Sequence, residues 1–512
     1  MPDMTYSGWF TARAHREPQR AALTFEGRTW SYGELCDEVD RLAQGLRERG
    51  VRQADRIAYV GENHAALLMT LIAAGRIGAI MLPVNFRLAE EELAFILADS
   101  GAVAVVADPP RAQMLDSVFA AGHEGMAVRV RLVVDQPCTG WEEFTEVVEG
   151  SAPIVAPALV RNDDPALLMY TSGTTGRPKG AVLTHANLWW NDESLFGIFH
   201  VTAQDTTLAV APLFHIAGLN VTVGMTWKRG GRVVVMRRFT PSAFLSTIET
   251  EQVNTLLAVP AMFLATMRAP EFAEADLSSL RVCLCGGAPV PPQVVTTMGE
   301  RGVTVVPAYG LTECAPCVMV LAPDAAATHP SSVGKVPMYM DVKLMREGVE
   351  QTGPEAEGEI WVRGGNITVG YWNNPVATAA AIDEAGWFRT GDVGRRDAAG
   401  FHYVVDRIKD VVITGGENVY PAELEHHLLD HPAVVEVAVI GTADDVWGEA
   451  VTAVVVPADD EERVGADDFR SVLEGKVARF KWPRRIEFVN ELPRNAQGKV
   501  LKTVLRDRFS EK

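Results

Sequence analysis

Apolar positions along this chain recur at helical spacing, then at strand spacing, and the two patterns alternate from the start. Ser31 with Glu34 makes a capping box, after which Leu35, Val39, Leu42 and Leu46 fall on one helical face. Residues 56–60 read as a strand, 65–74 as a buried helix and 79–84 as a second strand. The alternation resumes further on, with strands expected at 207–211, 232–236, 255–258, 281–285 and 303–306 and helices at 242–251 and 292–301. Strands alternating with helices define an α/β chain. Beyond Lys409 and Asp410 a smaller α+β pattern follows: a helix near 421–429, strands at 434–440 and 450–456, a helix near 467–477 and a last helix at the end.

The chain's 512 residues exceed what one hydrophobic core usually supports. The expected organisation is a large N-terminal domain of mixed or parallel sheets with helices, residues 1–407, followed by a small C-terminal α+β domain, residues 408–512.

Residues 170–180, YTSGTTGRPKG, carry the densest chemistry. They hold the hydroxyls of Thr171, Ser172, Thr174 and Thr175, the glycines Gly173, Gly176 and Gly180, and the cation Lys179. Glycines let backbone N–H groups turn inward into an anion-binding nest, hydroxyls donate to oxygens, and a lysine adds a point charge. That combination suits a polyphosphate. The Gly-x-x-x-x-Gly-Lys-Ser/Thr loop is not matched, because Gly180 follows Lys179, and 181–183 read as a strand rather than a helix. An ordinary polar turn is the competing reading.

Parallel sheets place ligands outside the carboxyl ends of their strands, where three further turns fall: Pro212 to His215, Gly286 to Pro289, and Tyr309 to Glu313. A lone His215 is more often a core histidine, and Gly286-Gly287 is a weak signal. Tyr309, Thr312 and Glu313 say more, since a nucleotide calls for a stacking ring, a hydroxyl and a carboxylate ligand for its Mg²⁺. Asp392 could hold two ribose hydroxyls and Arg407 a ribose or phosphate oxygen, or the two could form a surface ion pair. Lys499 lies in a glycine-flanked loop before the last helix.

Charge narrows the partners. The 47 Lys and Arg against 66 Asp and Glu leave a net charge of −19, which argues against nucleic acid or an anionic membrane as general partner. No apolar run reaches the length of a membrane span, so no integral membrane contact is expected. The first ten residues lack a basic head and a long apolar core, and six cysteines do not make a disulfide framework, so a cytoplasmic location is expected. Cys314 and Cys317 form a lone Cys-x-x-Cys and are read as structural thiols. The oligomeric state stays open, a homodimer included.

Taken together, these stretches resemble the acyl-adenylate-forming enzymes, the superfamily of acyl-CoA synthetases, adenylation domains and luciferases. The resemblance runs over nearly the whole chain and is closest to single-chain fatty-acyl and aryl acid:CoA ligases. It implies that Thr171, Ser172, Gly173, Thr174, Thr175, Gly176 and Lys179 hold the β- and γ-phosphates of ATP, that Gly287, Ala288, Pro289 and Tyr309 hold the adenine, and that Asp392 and Arg407 hold the ribose. Thr312 would touch the α-phosphate, Glu313 would bind Mg²⁺, and Lys499 would reach the carboxylate and α-phosphate. His215 would border the acyl and pantetheine channels, with Asn220, Ala308 and Gly310 in the acyl pocket. Lys409 matches the family's hinge, about which the small domain swings after adenylation, and Gly415-Gly416 resembles the loop that then lines the CoA tunnel. One departure concerns substrate size: Pro307-Ala308 stands where many relatives carry Gln-Gly.

The activity so implied is ATP-dependent activation of a small-molecule carboxylic acid to an acyl-adenylate, with pyrophosphate released, then transfer to CoA with release of AMP. Transfer to an amine or to a free-standing carrier protein is the alternative, and a nucleotide-sensing module without catalysis is a third. Residues 216–223 carry no Arg or Lys to pair a second carboxylate, so an apolar acid is expected: medium-chain, branched or aromatic.

Overall fold

The computed structural model describes residues 3–171, 178–414, 417–444, 447–458, 466–474, 476–494 and 499–509. The chain parts into two compact units, one of Met1–Val342 with Val362–Phe388, the other of Lys343–Trp361 with Arg389–Lys512.

Two eight-stranded sheets build the first unit. One runs in the order Cys317–Val320, Thr304–Gly310, Val282–Gly286, Thr255–Ala258, Thr206–Ala209, Arg232–Val235, Ala21–Phe25, Arg28–Ser31, parallel except at its two outer pairs. The other runs Gly370–Tyr371, Lys179–Thr184, Pro165–Thr171, Ile80–Val84, Arg56–Val60, Ala102–Ala107, Val130–Val133, Glu142–Glu143. Most expected strands fall within a residue or two of their reading. One differs: Tyr309 and Gly310, read as part of a turn, extend the strand Thr304–Gly310, because the chain folds back and pairs Tyr309 with Met319.

The helices between the sheets follow their sequence signals. Ser31 Oγ accepts from Glu34 N at 3.2 Å while Glu34 Oε2 accepts from Ser31 N at 2.8 Å, starting the helix Tyr32–Glu48. Ala65–Ile77 is apolar all round and buried except at Arg76, whose guanidinium meets Asp40 at 2.6 and 2.7 Å. The core they share takes Leu23 and Val233 from one sheet, Ile57 and Tyr59 from the other, and Leu42, Leu68 and Trp227 from helices. Each such side chain stabilises the fold by about 1.5–3 kcal/mol relative to exposure. Phe244, Ile248 and Phe263 cover the far face of the first sheet, and Leu93, Leu97 and Leu115 that of the second.

The second unit carries most of a five-stranded sheet, in the order Val349–Glu350, Met340–Arg346, Ala356–Gly364, Phe388–Arg396, His402–Arg407. It also carries a C-terminal sheet centred on Val434–Asp444 and Gly448–Pro457, with Leu424, Leu428 and Phe469 in one buried cluster and Leu492, Leu505 and Phe509 in another. Residues 343–361 and 389–407, which the sequence reading placed with the large domain, group here with the C-terminal residues. Their strands pair with one another, as Asp392 does with Arg407, and so form a meander. Among the described residues no helix is long and apolar enough to cross a membrane.

Candidate active site

In the first unit, the two ends of residues 170–180 lie on neighbouring strands. Pro165–Thr171 pairs antiparallel with Lys179–Thr184, Thr171 standing opposite Lys179 and Tyr170 opposite Gly180. A Cβ at Gly180 would meet Leu168 Cδ1 at 2.8 Å and the Tyr170 ring at 3.1 Å, so a larger residue there would have to displace the leucine methyl. Ser172, Gly173, Thr174, Thr175 and Gly176 lie outside the described residues. Thr171 Oγ1 donates to Lys179 O at 3.4 Å, and Lys179 Nζ lies 5.6 Å from the Tyr371 ring centroid.

The adenine candidates sit at the carboxyl ends of two adjacent parallel strands. Gly286 is in register with Ala308, which sets the exposed residues Gly287, Ala288 and Pro289 beside Tyr309. Gly287 takes φ +83°, a conformation that suits glycine. Gly310 allows no side chain, since a Cβ there would stand 2.0 Å from Pro316 O.

A short 3₁₀ turn, Thr312–Cys314, then presents Glu313, whose carboxylate is buried. Three asparagines hold the loop behind it. Asn366 Nδ2 donates to Cys314 O at 2.7 Å and Cys317 O at 2.9 Å, Asn191 Oδ1 accepts from Cys317 N at 3.0 Å, and Asn220 Nδ2 donates to Ala315 O at 2.9 Å. Asn220, expected in the acyl pocket, thus has its amide nitrogen bonded to the loop that carries Glu313. Cys314 and Cys317 are buried free thiols, and burial, with Asp192 nearby, pushes Cys317 up to about 12.

His215 follows the strand Thr206–Ala209, its ring tilted against Phe214 at 4.3 Å. Burial and the nearby Arg87 guanidinium hold it down to about 4, so it is a neutral imidazole at pH 7. A π-helix, Ala217–Gly224, opens just after it, and Gly218 packs so close that a Cβ would meet Pro212 O at 2.6 Å. Leu219, Val221 and Val223 of that turn are buried.

In the second unit, Arg407 Nε lies 3.3 Å from Asp392 Oδ1 across the strand pair, an ion pair whose carboxylate is buried. Asp410 next to Lys409 accepts from Arg506 Nη2 at 2.9 Å, tying the short turn Ile408–Asp410 to the last helix. Lys499 is drawn into this group. Burial and the Arg407 guanidinium hold its ammonium down to about 8, against the opposing pull of Asp392 and Asp410. Gly415 and Gly416 lie outside the described residues.

Sequence reasoning missed Tyr371. Its hydroxyl donates to Glu313 Oε1 at 2.8 Å, and nothing in the local pattern GYWNN announces a partner so far back in the chain.

The family model for AMP-binding enzymes matches residues 10–372, and the model for the AMP-binding enzyme C-terminal domain matches residues 423–499. The chain belongs to this adenylate-forming superfamily, in its CoA-ligase branch. A feruloyl-CoA synthase of an Amycolatopsis species is 42% identical over 509 residues, which covers 99% of this chain and 100% of that one. An indoleacetate–CoA ligase of Aromatoleum aromaticum is 37% identical over 510 residues, 99% of each chain. The solved structure of o-succinylbenzoate CoA synthetase from Bacillus subtilis, in complex with an acyl-adenylate, superposes with a TM-score of 0.85 at 32% identity over 98% of each chain.

Proposed function

We propose that this protein converts an apolar carboxylic acid, an aromatic one first among the class, to its CoA thioester at the expense of ATP. The observation that carries the reading is the pair of adjacent strand ends that sets Gly287, Ala288 and Pro289 beside Tyr309, with Glu313 one turn further on. A ring, a glycine-relieved backbone and a carboxylate at one sheet edge suit an adenine nucleotide. Feruloyl-CoA synthase and indoleacetate–CoA ligase as relatives, together with the apolar turn after His215, support the acid class.

The chemistry follows from the side chains. A carboxylate is a poor electrophile, so its oxygen attacks the α-phosphorus of ATP, the bond to the β-phosphate oxygen breaks, and pyrophosphate leaves. Such a displacement needs positioning and charge neutralisation more than acid–base catalysis. Lys179 would face the β- and γ-phosphates, Thr312 the α-phosphate, and Lys499 the α-phosphate and the reacting carboxylate. His215, neutral at pH 7, would border the acid as a wall and hydrogen-bonding group rather than a charge. Asp392 and Arg407 would hold the ribose. The CoA thiol then attacks the carbonyl carbon of the mixed anhydride, AMP leaves with the bonding electrons, and the thiol proton passes to water. Lys409 would be the point about which residues 408–512 turn between the two steps, with Gly415 and Gly416 on the CoA path.

Glu313 fits the Mg²⁺ that accompanies ATP. It is one buried carboxylate, and among the described residues there is no group of three or more His, Cys, Asp or Glu to form an all-protein cage. Mg²⁺ takes one or two carboxylates plus substrate phosphates. Bound there, the ion would offset phosphate charge in the transition state.

An acid-panel assay of pyrophosphate release, with the products identified by mass spectrometry, tests the reading. Acid-dependent AMP and pyrophosphate, and a thioester with CoA, are expected. ADP and phosphate as products would overturn adenylation, an amide without any thioester would reassign the acceptor, and faster turnover of malonate than of benzoate or hexanoate would overturn the acid class.

A further inference from the structure

Residues 366–371 touch both the loop that carries Glu313 and the strand that carries Lys179. On the loop side, Asn366 Nδ2 holds the carbonyls of Cys314 and Cys317 at 2.7 and 2.9 Å, and Thr368 N donates to Glu313 O at 2.7 Å. On the strand side, Thr368 Oγ1 donates to Val182 O at 2.6 Å, and Gly370 and Tyr371 pair antiparallel with Val182 and Ala181. The segment is therefore fixed by its backbone and by Asn366 and Thr368 before the side chain at 371 is considered. Tyr371 N, which donates to Thr378 Oγ1 at 2.9 Å, fixes it further.

The Tyr371 side chain adds two contacts that this anchoring does not need. Its hydroxyl donates to Glu313 Oε1 at 2.8 Å, and its ring centroid lies 5.6 Å from Lys179 Nζ. A phenol differs from a lysine or arginine in this position. It holds one carboxylate oxygen and so restrains how the group turns, yet it brings no positive charge and leaves the carboxylate's full negative charge for a cation. A ring within about 6 Å of an ammonium attracts it through the quadrupole of the π-system.

We propose that Tyr371 is a positioning residue for adenylation. Its hydroxyl orients Glu313 towards the divalent cation of the ATP complex, and its ring steadies Lys179 towards the same polyphosphate. The inference rests on the roles given above to Glu313 and Lys179.

The test uses the full chain and three variants, Tyr371→Phe, Tyr371→Leu and Glu313→Gln. Mn²⁺ binding is followed by electron paramagnetic resonance with the non-hydrolysable α,β-methylene analogue of ATP, the metal-free analogue is titrated by calorimetry, and unfolding midpoints are recorded. Tyr371→Phe is expected to weaken Mn²⁺ binding roughly ten-fold, the lower end for loss of a group that orients a metal ligand. Its binding of the metal-free analogue should be unchanged. Tyr371→Leu should show the same metal defect and also weaken the metal-free analogue about two- to five-fold, since the ring beside Lys179 is gone. Glu313→Gln should weaken Mn²⁺ at least as much as Tyr371→Phe. If Glu313→Gln binds Mn²⁺ like the wild type, the metal-ligand reading fails and the inference falls with it. If Glu313→Gln is weakened but a folded Tyr371→Phe binds Mn²⁺ like the wild type, the inference about Tyr371 alone is overturned. A fall in unfolding midpoint with unaltered Mn²⁺ and analogue binding would reduce Tyr371 to a structural residue.

Discussion

Asp392 and Arg407 stand opposite each other in an antiparallel strand pair, Nε 3.3 Å from Oδ1, and both act electrostatically on Lys499 with opposite signs. The carboxylate favours the lysine's charged form and the guanidinium disfavours it. The two residues proposed to hold the ribose thus also tune the lysine proposed to serve adenylation.

A pH prediction follows. Lys499 is charged below about 8 and neutral above it, so the adenylation half-reaction should fall as pH rises through about 8. Arg407→Ala removes a group that lowers the lysine's pKa, and the alkaline limb should move up. Asp392→Asn removes one that raises it, and the limb should move down. Both variants should also raise KM for ATP roughly ten-fold or more, the loss of a charge-assisted hydrogen bond of about 1.5–3 kcal/mol. Pyrophosphate release at saturating ATP across pH 6.5 to 9.5 checks the limbs, and identical profiles for the three proteins would disprove the coupling.

Lys499→Ala should divide the reaction. Removing one preorganised charge from a phosphoryl-transfer transition state costs on the order of 3–4 kcal/mol, roughly a hundred- to a thousand-fold in rate. Starting from acid and ATP, that loss is expected in full. Starting from a synthetic acyl-adenylate and CoA, the rate should be nearly unchanged, and equal loss in both assays would show that the lysine is not specific to the first step.

Gly310→Ala should destabilise the fold and impair adenylation together. Its Cβ would stand 2.0 Å from Pro316 O, which is backbone and cannot rotate away. Overpacking of this kind costs typically 1–3 kcal/mol, and here the shift falls on the loop that presents Glu313. A lower unfolding midpoint with a raised Mg²⁺ requirement is expected; a wild-type midpoint would show that the loop yields freely.

Asp192 is buried in the helix His185–Phe196, and burial pushes it up to about 7 despite the pull of Lys228. Its folded value lies above the unfolded value of about 4. The group therefore contributes stability that is fully present below about pH 4 and is lost as pH rises through about 7. Asp192→Asn should flatten the pH dependence of the unfolding midpoint between pH 5 and 7.5. Lys228, with Nζ 2.7 Å from Glu193 Oε1, shares this cluster with Arg229, whose Nη2 lies 3.3 Å from the same oxygen, and Lys228→Met should destabilise the fold by less than the about 3–5 kcal/mol of a fully uncompensated buried charge.

Much of the fold was legible because its signals are local. A capping box and an i, i+3, i+4 spacing set the helix Tyr32–Glu48, and the strands Arg56–Val60 and Thr255–Ala258 lie where their apolar runs stand, since periodicity and capping act within a few residues. The order of motifs, too, lies in the sequence: a hydroxyl- and glycine-rich loop with Lys179, the Tyr309 to Glu313 group, the Asp392 and Arg407 pair, and Lys499 close to the end.

What only the tertiary structure decided is which distant residues meet. Tyr309 and Gly310 looked like turn residues because glycine favours turns, yet a returning strand, Cys317–Val320, made them strand. Burial with Arg87 nearby sets the state of His215, Asn220 holds the Ala315 carbonyl through its amide nitrogen, and Tyr371 reaches Glu313. Each of these is burial, a hydrogen bond or a charge between segments that only chain packing brings together, and no spacing rule along the sequence encodes it. Local propensity chose the elements of this protein, whereas the directional contacts that orient its candidate catalytic groups depend on how the sheets and loops stack.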